Sequence, residues 1–138
     1  MSTYLISDMH GEKKIFDKLI KDLDFQVDKL YILGDVIDRG HQSMELLDEV
    51  RSLMATYPQN ICMIKGNHEL FCEMYIDGRL SETVWLSESY GGGPMLKAMT
   101  KMSKDQIHAK IQRGYESYKA GRTQNAAEAF NRFRENHS

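Results

Sequence analysis

Seven residues in three short stretches carry the chemistry this sequence could do. Asp8 and His10 stand in "SDMHG" (Ser7–Gly11). Asp35, Asp38 and Arg39 stand in "GDVIDRG" (Gly34–Gly40), and Asn67 and His68 in "GNHE" (Gly66–Glu69). Carboxylate, imidazole and amide oxygen are the ligand set of a hard or borderline divalent cation. Carboxylates crowded into one turn repel each other and add nothing to a fold unless positive charge sits between them. An aspartate has two oxygens and can bridge two such ions about 3.5–4 Å apart. The two-residue spacing of Asp8 and His10 predicts an extended backbone that presents both on one side. The neighbouring glycines allow the tight turns that would bring the three stretches together.

The elements that must position these residues alternate along the chain. "TYLIS" (Thr3–Ser7), "KLYIL" (Lys29–Leu33) and "ICMIK" (Ile61–Lys65) read as short apolar strands. Glu12 to Leu23 carries Ile15, Phe16, Leu19, Ile20 and Leu23 at helical spacing. Ser43 to Tyr57 puts Met44, Leu47, Val50 and Met54 on one face, with Ser43 as N-cap. The order β-α-β-α-β, with near-continuous apolar strands, predicts a mostly parallel sheet covered on both faces. Ligands of such sheets bind beyond the carboxyl ends of the strands. Each polar stretch follows a strand, so all three fall on one edge. Ordinary turn chemistry explains one such cluster but not three together. The competing readings are an Arg39–Asp38 ion pair and a structural loop role for His68. Glu69 reads as an acidic residue in the first turn of the next helix, suited to the helix dipole. "WLSESYGGGPMLKAM" (Trp85–Met99), with three glycines and a proline, reads as a loop.

The 138-residue length suits one domain with a real core. A net charge of −2 argues against broad attraction to nucleic acid or an anionic membrane. No charged-then-apolar leader and no apolar run of about 18 residues is present, so the expected location is cytoplasmic, with no membrane. Cys62 and Cys72 are then expected as reduced thiols. The methionines read as core filler. Residues 1–103 carry 11 basic and 16 acidic side chains, a net of −5, whereas 104–138 carry 7 and 4, a net of +3. Ile107, Ile111, Tyr115 and Tyr118, then Ala126, Ala129, Phe130 and Phe133, predict a C-terminal helical hairpin broken at Gly121. The division expected is an α/β domain over 1–103 and a hairpin over 104–138 packed on it.

Asp8-Met9-His10, Gly34-Asp35-Val36-Ile37-Asp38-Arg39-Gly40 and Gly66-Asn67-His68-Glu69 resemble the three N-terminal signature motifs of the phosphoprotein phosphatases. That family lies within the wider calcineurin-like metallophosphoesterases and holds serine/threonine phosphatases, their bacterial and phage relatives and symmetrical diadenosine tetraphosphatases. The resemblance covers roughly residues 1–100. It implies that Asp8 and His10 hold a first metal, that Asp35 bridges two, and that Asn67 holds the second and reaches the substrate phosphate. It implies that His68, paired with Asp38, is the general acid, and that Arg39 grips a phosphate oxygen. It also implies in-line attack by a metal-bound hydroxide. One or two divalent ions (manganese, iron, zinc or magnesium, manganese favoured) and a phosphoprotein or small phosphoester substrate follow. "WLSESYGGG" loosely resembles the family's substrate-side loop, where a Trp precedes an Asn-Gly-Gly segment.

The resemblance also marks what is missing. The family's second half supplies a further β-layer, two more histidine ligands and a second phosphate-binding arginine. His41, His108 and His137 do not match those positions. The fold expected is therefore an incomplete sandwich, a short mostly parallel sheet with helices plus the hairpin. Its open apolar face needs the tail or a second chain, which makes a homodimer an expectation. "GYESYKAGRTQNAAEAFNRFREN" (Gly114–Asn136) resembles the turn and second helix of a tetratricopeptide repeat, so the hairpin either caps the sheet or binds a protein partner. Two functions stay open. One is a metal-dependent phosphomonoesterase acting on phosphoserine or phosphothreonine. The other is a shortened, inactive homologue that binds or inhibits a partner.

Overall fold

The computed structural model describes residues 1–100 and 102–119, with side chains up to 111 in the last helix. The elements are β1 (Thr3–Ile6), α1 (Lys13–Ile20), β2 (Lys29–Ile32), α2 (Ser43–Thr56), β3 (Ile61–Met63), α3 (Asn67–Ile76), α4 (Glu82–Trp85), α5 (Gly93–Met99) and α6 (Lys104–Lys119). The three strands form one parallel sheet in the order β1-β2-β3. Ile6 stands beside Ile32, and Ile32 beside Met63. Consecutive parallel strands need crossovers, and α1 and α2 supply them. The α/β class with a short parallel sheet is thus as expected.

One continuous core unites Leu30, Ile32 and Ile61 of the sheet with residues from all six helices, among them Phe16, Leu47, Val50, Cys72, Trp85, Met95 and Ile107. α2 packs on α1, on α5 and on α6, and α3 packs on α4 and α6. On the opposite sheet face Tyr31 and Cys62 are only 5% and 6% exposed, with Leu5 and Leu33 against them. The centre of that face is therefore not open to solvent. Both cysteines are buried. Among the described residues no helix is long and apolar enough to cross a membrane.

Four local expectations are corrected. Ile15 and Leu19 of α1 are 50% and 49% exposed. The Phe16–Ile20 row faces the core, and the Ile15–Leu19 row lies about 100° round the helix from it. Ser43 is not the N-cap of α2; it is the first helical residue, and its hydroxyl donates to the Gly40 carbonyl at 2.8 Å. The expected loop 85–99 ends in α5, because Pro94 sits in the first turn of a helix, where its missing N–H costs nothing. Asp8 and His10 are not extended; their φ values are 56° and 44°. The second hairpin helix (Ala126 to Phe133) and His137 lie outside the described residues.

Candidate active site

The loops after β1 and β2 are laced by backbone hydrogen bonds that continue where the sheet stops. His10 N–H donates to the Asp35 carbonyl at 3.0 Å, Gly11 N–H to Val36 at 2.7 Å, and Gly40 N–H to His10 at 2.9 Å. A Cβ on Gly40 would stand 2.1 Å from the His10 carbonyl oxygen, so only glycine lets the loops approach this closely. Among the described residues, Asp8, His10, Asp35, Asp38 and Arg39 are the non-glycine residues with positive φ. All five are residues singled out from the sequence. Such conformations cost about 1–3 kcal/mol each and persist where the surroundings over-determine them, most often at functional sites.

Asp8, His10 and Asp35 each offer one ligand atom, and these atoms lie within 4.8 Å of one another. No other group of three acidic, histidine or cysteine side chains among the described residues meets that test. His10 Nδ1 lies 2.9 Å from the Ile37 carbonyl. A carbonyl can only accept, so Nδ1 carries a proton and Nε2 is the nitrogen turned to the cluster. Nε2 is 3.6 Å from Asp8 Oδ1. The Ser7 hydroxyl donates to Asp8 Oδ2 at 2.5 Å and, with His10, holds the Asp8 carboxyl below its ordinary range. The donor set fits a divalent cation. Two carboxylates and an oriented imidazole converge, and ligands about 2–2.4 Å from one ion stand up to about 4–5 Å apart.

His68 sits beside this cluster, with its ring centroid 4.6 Å from that of His10. Its Nδ1 lies 3.0 Å from Asp38 Oδ2, which leaves Nε2 free for another partner. Asp38 is wholly buried, and burial raises its carboxyl above the usual range against the opposing pull of His68 and Trp85. Phe71 packs edge-on against His68, and Tyr90 stacks on Phe71. Arg39 is exposed and does not pair with Asp38; its Nη2 donates to the Ser89 carbonyl at 3.0 Å. Asn67 is exposed at the start of α3, next to His68. His41 is exposed, and His108 Nε2 lies 3.0 Å from Asp77 Oδ1.

Two residues do more in the site than the sequence alone assigns them, where Glu69 reads as a first-turn acid of α3 and Trp85 as part of a loop. Glu69 is buried, and its carboxylate accepts from Asp35 N–H, Val36 N–H and Gly66 N–H. Its place three residues after Gly66 was a capping-box signal, but the reach to the β2 loop was not. Trp85 donates its indole N–H to Asp38. Nothing in local spacing announces that bond.

A family model described as calcineurin-like phosphoesterase matches residues 1–135. The symmetrical bis(5'-nucleosyl)-tetraphosphatase of Yersinia enterocolitica serotype O:8 is 42% identical over 72 residues, 51% of this chain and 23% of that protein. That of Sodalis glossinidius is 42% identical over 73 residues, 51% of this chain and 24% of the relative. The chain thus spans about a quarter of the length of these curated relatives. A cold-active protein-tyrosine phosphatase of a psychrophilic Shewanella is 20% identical with a TM-score of 0.48, over 83% of this chain and 39% of that one.

Proposed function

Because the chain belongs to the calcineurin-like phosphoesterase family, we propose that it is a metal-dependent phosphoester hydrolase whose metal is held by Asp8, His10 and Asp35. The observation that carries this reading is the convergence of those ligands with the His68–Asp38 pair beside them. A bound divalent cation supplies Lewis acidity and lowers the pKa of water towards neutrality. The chain's own residues do the rest. Asp38 orients His68, whose free Nε2 delivers a proton to the leaving oxygen. Arg39, exposed at the rim, has donors left for a phosphate oxygen beyond its bond to Ser89. Asn67 supplies an amide oxygen at the same edge. Manganese is the metal we favour, and Asn67 with Asp35 the start of a second site.

For the substrate, the reading from sequence is a phosphoserine or phosphothreonine monoester. The names of the relatives favour a second, a bis(5'-nucleosyl) tetraphosphate. The test is hydrolysis of para-nitrophenyl phosphate, a phosphothreonine peptide and bis(5'-adenosyl) tetraphosphate with added manganese, with His68→Ala alongside. Turnover lost in the variant supports the hydrolase, and the ratio of rates chooses the substrate. A folded, manganese-loaded protein no faster than its variant on all three sinks the reading. It would favour instead an inactive homologue, with a partner for residues 114–138 or a second copy of the chain as its target.

A further inference from the structure

Trp85 is the single tryptophan of the chain, and its indole is wholly buried. Its one polar atom, Nε1–H, donates to Asp38 Oδ2 at 3.1 Å. That is the same oxygen that lies 3.0 Å from His68 Nδ1. Asp38 Oδ1 is buried and has no hydrogen-bond partner among the described residues. Both donors therefore converge on one carboxylate oxygen, and among the described residues they alone restrain the rotation of the carboxylate by hydrogen bonding.

The indole is itself packed from two sides. Tyr75 stacks on it at 4.7 Å. Gly92 approaches it so closely that a Cβ there would stand 2.4 Å from Cε2 and 2.6 Å from Nε1. Gly92 N–H donates to the Trp85 carbonyl at 2.9 Å, while the Gly91 carbonyl accepts Arg39 N–H at 2.6 Å. The turn over residues 86–92 is thus fastened to the Trp85 backbone at one point and to the residue after Asp38 at another. Packing alone would require an aromatic ring of this volume. It would not require the N–H to meet the one oxygen that His68 uses.

We propose that Trp85 is a positioning residue of the acid pair: its indole N–H sets the orientation of Asp38 Oδ2 from which that oxygen holds His68 Nδ1–H. The proposal rests on the reading of His68 as the proton donor of the site. It makes the geometry of the acid depend on a residue 47 positions away from Asp38.

A lone tryptophan permits a clean test. Growth on β-(3-benzothienyl)alanine replaces the indole N–H by sulfur at nearly constant volume. The Nδ1–H resonance of His68 is followed in the histidine-labelled 138-residue chain at fixed pH and assigned by its loss in His68→Gln. The expected result is a displaced or exchange-broadened resonance. With it comes a kcat on para-nitrophenyl phosphate lowered about ten-fold with KM changed less than about two-fold, as for loss of an orienting partner. An unmoved resonance in a substituted protein with the wild-type melting temperature overturns the proposal. The resonance decides whether or not the wild type turns over, so an inactive wild type defeats the hydrolase reading separately. Should the substituted protein not fold, the Trp85 indole N–H resonance of the natural chain is compared with that of His68→Gln. It moves if the two donors share Asp38 Oδ2, and its constancy overturns the proposal.

Discussion

Glu69 lays its carboxylate across the backbone of Asp35 and Val36, accepting their N–H groups at 2.9 and 2.7 Å, and takes Gly66 N–H at 3.2 Å on the oxygen that holds Asp35. One buried side chain therefore ties the β2 loop, which carries Asp35, to the turn that starts α3 and carries Asn67 and His68. Glu69→Gln keeps the shape but must aim an amide N–H₂ at a backbone N–H. Leaving a buried donor unmatched costs about 1–3 kcal/mol. The expected outcome is a urea midpoint lowered accordingly and manganese affinity reduced about ten-fold, as when a ligand loses its support. Unchanged values in both titrations would mean that the contact holds nothing in place.

Asp35 is the proposed metal ligand whose charge can be removed with its hydrogen bond kept. Asp8 and Asp35 bring two carboxylates together beside the His10 ring. Asp35→Asn removes one charge, and its remaining amide oxygen can still accept His68 N–H, now 2.9 Å from Asp35 Oδ1. The metal-free variant should melt no lower than the metal-free wild type. Manganese at a hundred times its dissociation constant should stabilise the wild type by about 2.7 kcal/mol and leave the variant nearly unmoved. Equal shifts in thermal melts of the two proteins would remove Asp35 from the site.

The strands were legible because β-rich apolar runs end in Asp, Asn, His and Gly, and a parallel sheet must bring those ends to one edge. The convergence of Asp8, His10 and Asp35 followed from that edge. What was hidden depends on distance along the chain or on turn geometry. Trp85 reaches Asp38 across 47 residues, and Glu69 reaches Val36 across 33. The left-handed turns at Asp8 and His10 bring the two side chains together by a route that strand alternation does not describe. Pro94 reads as a breaker beside three glycines, yet it opens α5.

Cys72 is wholly buried beside Met99, with its Sγ 3.5 Å from the Met99 Sδ. Burial, with Asp38, Glu73 and Glu69 nearby, pushes its thiol far above the ordinary range. The thiolate is the nucleophile, so Cys72 should resist iodoacetamide in the folded chain at pH 8 and react only through opening of the α3–α5 packing. Labelling of Cys72 followed by mass spectrometry should therefore accelerate with urea in parallel with unfolding. Rapid labelling in the native protein would show that the core around α3 is open.

Asp77 links the end of α3 to α6 through His108, with Oδ1 3.0 Å from His108 Nε2, while Arg79 Nη2 stands 3.4 Å from Oδ2. The hydrogen bond from His108 is the main cause that lowers the Asp77 carboxyl below its unfolded value of 3.8. A depressed carboxyl stabilises the fold in full above pH 3.8, and that stability is lost as pH falls through the lower folded value. Asp77→Asn should therefore lower the urea midpoint at pH 7, and the gap from the wild type should close towards pH 3. The pair is solvent-exposed, so the gap at pH 7 should be small and should shrink further in 1 M salt, a concentration at which the Debye length is about 3 Å. A gap that persists undiminished at pH 3 would assign the Asp77 effect to its helix-end position rather than to its charge.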